Sequence, residues 1–141
     1  MALAASDLNE KLAIKHLSIF GFYFENLVYR DLKIYAQYLD AKLFYYRDSN
    51  GNEVDFILEF EDKSYFAIEV KLGDKEKIDE AANNLIAFKD RCQVQKDKNK
   101  KERYRFREWV PKALIVITGL GSVAYQREDG VYVVPIGMLK P

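Results

Sequence analysis

From Phe22 to Leu39 the apolar positions Phe24, Val28, Leu32, Tyr35 and Leu39 recur at steps of three and four, which predicts a helix with one buried stripe. Leu8, Leu12 and Leu17 predict a shorter helix over 7–17, with Gly21 as a break between the two. Ala41 to Asp48 and Glu53 to Glu61 are β-rich runs on either side of Asn50-Gly51, a pair that tolerates the positive φ of a hairpin turn. After a second polar turn, Tyr65 to Leu72 sets Phe66, Ile68, Val70 and Leu72 against Tyr65, Ala67, Glu69 and Lys71, a third antiparallel strand. Gly73 and Asp74 open a helix to about Cys92 whose inward face reads Ile78, Ala82, Leu85 and Phe88. Ala113 to Thr118 lacks alternation, as a strand covered on both faces does, and is expected to be central. Val123 to Arg127 and Val131 to Val134 flank Glu128-Asp129-Gly130 and read as a closing hairpin. The expected fold is α/β, an αβββαβ core with a mixed sheet flanked by helices, plus a C-terminal β-hairpin.

The 141 residues are enough for one core, so a single domain over 1–141 is expected. Lys and Arg number 22 and Asp and Glu 22, so no global field attracts a polyanion, and any such site must be local. One cysteine, Cys92, excludes an internal disulfide, and with the single His16 it excludes a zinc site built from Cys and His; a reducing, cytoplasmic setting is the simpler reading. The apolar run Ala113 to Ile117 is far below the roughly 20 residues that span a bilayer, so no membrane is expected. No phosphate loop of the Walker type occurs. Charge is biased in one place: Lys96 to Arg107 holds seven basic and two acidic residues. Lys98, Lys100, Lys101, Arg103 and Arg105, interleaved with Tyr104, Phe106 and Trp109, could contact phosphates and stack bases; a solvated loop is the alternative.

Strict alternation in the second strand puts Val54, Phe56, Leu58 and Phe60 on one face and Glu53, Asp55, Ile57 and Glu59 on the other. If strands two and three pair through a three-residue loop, Glu61 to Lys63, then Phe60 faces Ser64 and Asp55 falls opposite Glu69. Like charges at about 4 Å repel by roughly 4 kcal/mol at an effective dielectric of about 20, and a divalent cation between them reverses the sign. Lys71, one step along the same face, can hold an attacking water while Mg²⁺ polarises a phosphodiester. A four-residue loop would put Asp55 and Glu69 on opposite faces. The bland alternative is a cross-strand salt bridge on a solvated face, contributing about 0 to 1 kcal/mol. On the first helix Glu25 lies at the margin of the apolar arc and Asp31 inside it; Glu25 is favoured for the site. Arg47 shares a face with Asp55 only if the Asn-Gly turn carries a bulge.

The phrases Phe24-Glu25-Asn26-Leu27-Val28, Tyr46-Arg47-Asp48, Asn52-Glu53-Val54-Asp55-Phe56 and Ile68-Glu69-Val70-Lys71 together resemble the PD-(D/E)XK restriction-endonuclease-like superfamily. With Arg127 to Gly137 added, the chain is similar, over roughly residues 8 to 141, to the uncharacterised domain that ends many prokaryotic AAA-type ATPases. The resemblance implies a restriction-endonuclease-like core, Asp55, Glu69 and Lys71 as catalytic acid, acid and lysine, and Glu25 as a further metal ligand beside Asp55 and Glu69. It implies Mg²⁺ or Mn²⁺ as cofactor, DNA as the favoured substrate, and an N-terminal ATPase module of a longer parent protein as partner. Val54 stands where the superfamily has Pro. Two functions follow: a metal-dependent phosphodiester hydrolase, or a non-catalytic nucleic-acid-binding or protein-interaction module that regulates the ATPase.

Overall fold

The computed structural model describes residues 2–98, 110–119 and 121–139, with side chains from residue 19 onward. Helix α1 (Ala2–Tyr38) leads into strands β1 (Lys42–Arg47), β2 (Glu53–Glu59) and β3 (Tyr65–Lys71). Helix α2 (Lys75–Lys98) and strands β4 (Ala113–Thr118), β5 (Tyr125–Gln126) and β6 (Tyr132–Pro135) follow, and one 3₁₀ turn, Ile136–Met138, closes the order. The result is a mixed α/β fold: a six-stranded sheet in the order β1-β2-β3-β4-β6-β5 with one helix on each face.

The two helices expected on either side of Gly21 are one continuous helix of 37 residues. Glycine inside a helix costs about 1 kcal/mol but ends it only when the backbone turns left-handed. Gly21 is not among the residues with positive φ. The helix stops instead at Asp40, whose φ of 52° lets Ala41 N–H reach back to the Ala36 carbonyl at 2.8 Å. Its apolar stripe Phe24, Val28, Leu32 and Ala36 packs on Phe56, Leu58, Ile68, Val70 and Ile117. On the opposite face α2 is capped by Asp74, whose Oδ1 accepts from Lys77 N–H at 3.2 Å. Its residues Ala81, Ala82, Leu85 and Phe88 cover Ile57, Tyr65, Ala67, Leu114 and Val116. β4 contributes to both clusters, as its unbroken apolar run requires.

Three hairpins share one loop design. In each, three residues lie between a closing pair: Asp48 N–H donates to Asn52 O, Phe60 N–H to Ser64 O, and Arg127 N–H to Val131 O, each at 2.9 Å. The third loop residue is left-handed each time, Gly51 at φ 82°, Lys63 at 72° and Gly130 at 89°. A type I turn followed by a left-handed residue matches the right-handed twist of the strands it joins. The closing hairpin is shorter than expected: β5 keeps only the pairs Tyr125↔Val133 and Gln126↔Tyr132.

Strict alternation fails in β2. Phe44 pairs with Ile57 and Tyr46 with Val54, so three steps of β2 oppose two of β1. This bulge turns Val54 to the α2 face beside Ile57, while Phe56 and Leu58 stay on the α1 face. Val54 therefore does not share a face with Phe56, Leu58 and Phe60. The residue displaced at the bulge is Asp55.

Candidate active site

The β2–β3 loop has the three residues that bring Asp55 to Glu69. Pairing runs Glu59↔Tyr65, Leu58↔Phe66, Ile57↔Ala67 and Phe56↔Ile68, and the next step of that register is Asp55 to Glu69. There the ladder gives way. Asp55 Oδ2 accepts from Val70 N–H at 2.8 Å, so a carboxylate takes the place of a strand carbonyl in the gap between β2 and β3. The bulge is what allows it, because it frees Asp55 from the pleat that Ile57 keeps.

Glu69 is 6% exposed and lies against that carboxylate. Burial first, then the Asp55 charge and a hydrogen bond between the two groups, push its carboxyl up to about 8. Lys71 and the side chain of Asn84 oppose the shift. Asn84 Nδ2 donates to Glu69 Oε1 at 2.8 Å and to the Glu53 carbonyl at 3.1 Å, tying α2 to the sheet at this point. From the other helix Glu25 feels the same group: burial and the Asp55 charge raise its carboxyl, and Lys71 lowers it. Glu25, Asp55, Glu69 and Lys71 thus form one electrostatic cluster where β2 and β3 part. Asp31 is not among the charges acting on Glu25 or Glu69. Arg47 is turned to Glu53 at 3.5 Å, an exposed pair at the mouth of the first hairpin.

Among the described residues no three His, Cys, Asp or Glu side chains stand together as a ready ligand set. What stands there is a pair of carboxyl groups, Asp55 and Glu69, the second raised by burial and by the charge of the first. Mg²⁺ suits such a pair, because it takes one or two carboxylates and completes its octahedron with water and substrate phosphate oxygens. The donor set therefore fits a hard divalent cation. Of the basic residues singled out as nucleic-acid contacts, Lys98 is exposed at the end of α2; Lys100, Lys101, Arg103 and Arg105 lie outside the described residues.

Two contributors carry little or no signal in the sequence. Val70 acts through its backbone N–H, which no side-chain pattern signals. Asn84 carries a faint signal, a poor helix former beside the buried Leu85.

Comparison with protein families matches the domain of unknown function DUF4143 to residues 20–139. No curated protein and no solved structure matches. No helix among the described residues is long and apolar enough to cross a membrane. The family match covers most of the chain, the α1 segment carrying Glu25 and the whole sheet included, and the chain belongs to the DUF4143 domain family.

Proposed function

We propose that this domain is a divalent-metal-dependent phosphodiester hydrolase of restriction-endonuclease-like type acting on nucleic acid, with DNA the favoured substrate. The observation that carries the reading is the Asp55–Glu69 pair, two carboxylates driven together at a break in the sheet with Lys71 beside them. An αβββαβ order with the acids on β2 and β3 agrees with it. A bound Mg²⁺ or Mn²⁺ would supply Lewis acidity at the scissile phosphate and a water of lowered pKa. Asp55 and Glu69 would hold the ion, with Glu25 bonding its coordinated water. Asn84 fixes the Glu69 carboxylate, and the Val70 N–H fixes that of Asp55. The Lys71 ammonium orients the attacking water and offsets charge growing on the phosphoryl oxygens. The basic segment from Lys98 to Arg105 would contact phosphates farther along the strand. The proposed partner is an N-terminal ATPase module of a longer parent protein.

Incubation with single-stranded, duplex and branched DNA tests the reading. Cutting that requires Mg²⁺ or Mn²⁺ and disappears in Asp55→Asn and Lys71→Ala supports it; cutting that survives Lys71→Ala, or none with any substrate, contradicts it.

A second reading, a non-catalytic interaction module regulating the ATPase, draws on one feature of α1. Phe20, Tyr23, Leu27, Ile34 and Tyr38 are exposed on the side turned from the sheet, an apolar row at helical spacing. A change in ATPase rate on replacing Tyr23 and Leu27 by Ser in the parent protein, with no metal-dependent cutting, would favour it.

A further inference from the structure

Beside the carboxylates lies a cavity of about 240 Å³ lined by Phe22, Glu25, Asn26, Tyr29 and Phe56. It adjoins the site through two residues: Glu25 belongs to both, and Phe56 follows Asp55 in the chain. Its walls are aromatic. Tyr29 stacks on Phe56 with ring centres 5.9 Å apart at 27°, so that wall is fixed. Phe22, 65% exposed, is a further lining ring and stands edge-on to Tyr23 with ring centres 6.2 Å apart. Phe22 and Tyr29 are seven residues apart on one flank of α1, so their backbones stand about 10 Å apart along the axis. Asn26 lies between them, its amide nitrogen held by the Phe22 carbonyl at 3.1 Å. Lys33 follows Tyr29 by one turn on the same flank and is exposed.

Two large aromatic side chains left open to water beside an acidic site need an occupant, and 240 Å³ is smaller than the space a drug-sized molecule takes. One planar heterocycle fills it. Resting on the phosphodiester reading for what brings a polymer here, we propose that this slot receives a single unpaired nucleobase stacked between Phe22 and Tyr29, which makes single-stranded or locally opened nucleic acid the substrate class. The base beside the scissile phosphate enters between the rings, the Asn26 amide meets its edge, and Lys33 meets the next phosphate. A base paired within a duplex has both faces covered by its neighbours and cannot enter unless it is flipped out.

Fluorescence anisotropy of the full chain in chelator, so that no strand is cut, tests this with four probes of equal length: oligodeoxyuridylate, oligouridylate, an abasic strand, and a duplex. The base-bearing single strands should bind about tenfold tighter than the abasic strand and the duplex, as one stacked base implies. Phe22→Ala and Tyr29→Leu should remove that advantage while melting as the wild type does, and Tyr38→Ala, on the far side of α1, should keep it. Deoxyuridylate against uridylate, which differ only at the 2′ position, identifies the sugar. Equal binding of abasic and base-bearing strands, wild-type binding by Phe22→Ala, or no binding of any strand overturns the slot. A separate cleavage arm divides the two readings. Base-independent binding with Asp55-dependent cutting removes the slot and leaves the hydrolase; base-dependent binding with no metal-dependent cutting keeps the slot and removes the hydrolase.

Discussion

Glu69→Gln keeps a side chain of the same size at the end of β3 and removes its titration. In the native protein Glu69 rises from 4.5 to about 8, so the folded state holds a proton that the unfolded chain has released. Stability from a raised group is complete below the unfolded value and is lost as pH climbs through the folded one. At about 1.4 kcal/mol for each tenfold in proton activity, the interval from 4.5 to about 8 bounds the loss at about 5 kcal/mol. Relaxation of a site at the open end of a sheet reduces this, and about 3 kcal/mol is expected between about pH 5 and about pH 9. Glu25 is raised too and acts in the same sense. Asp48 and Asp62 are lowered by hydrogen bonds from Asn52 and Ser64 respectively; their contributions are lost only as pH falls below the ordinary value of 3.8, outside this window. Urea unfolding in metal-free buffer across the window measures the effect. The wild-type midpoint should fall toward alkaline pH and that of Glu69→Gln should fall much less, keeping only the Glu25 share, with m unchanged. A level wild type, or the same slope in both proteins, would refute the claim that Glu69 takes up a proton on folding.

Lys63 holds a left-handed φ of 72° at a cost of about 1 kcal/mol, so Lys63→Gly should stabilise by about 0.5 kcal/mol after glycine's own entropy. Gly51→Ala, whose added Cβ would meet nothing, should lose about 1 kcal/mol from conformation alone, and the two urea midpoints should move in opposite directions. Gly119→Ala would put a methyl 2.6 Å from Leu72 Cδ1 and 3.3 Å from the Phe24 ring, and should cost about 1 to 3 kcal/mol in thermal or urea unfolding. Asn84→Ala removes the bond that lowers the Glu69 carboxyl; Mn²⁺ binding by calorimetry at neutral pH should weaken severalfold and release more protons per ion.

Much of this arrangement was legible in the chain. The chain allowed a three-residue turn, Glu61-Asp62-Lys63, or a four-residue one, and loop length sets register; the structure has the three-residue turn. That brought Asp55 to Glu69. The β2 bulge was not legible, since Val54-Asp55-Phe56 alternates perfectly in sequence and only pairing with β1 inserts the extra residue. Val54 was misplaced for that reason. Gly21 misled because a propensity of about 1 kcal/mol is small beside the burial of Phe24 and Val28 that follows it. The Asn84–Glu69 bond spans fifteen residues and two elements, and follows from where α2 settles on the sheet rather than from local pattern.

Asp55 and Glu69 are proposed to be drawn together to hold a cation. A crystal soaked in Mn²⁺ and measured at the manganese absorption edge tests it most directly. The account predicts an anomalous peak between the two carboxylates, absent from Asp55→Asn crystals. Carboxylates that keep their mutual hydrogen bond, with no peak between them at saturating Mn²⁺, would contradict it.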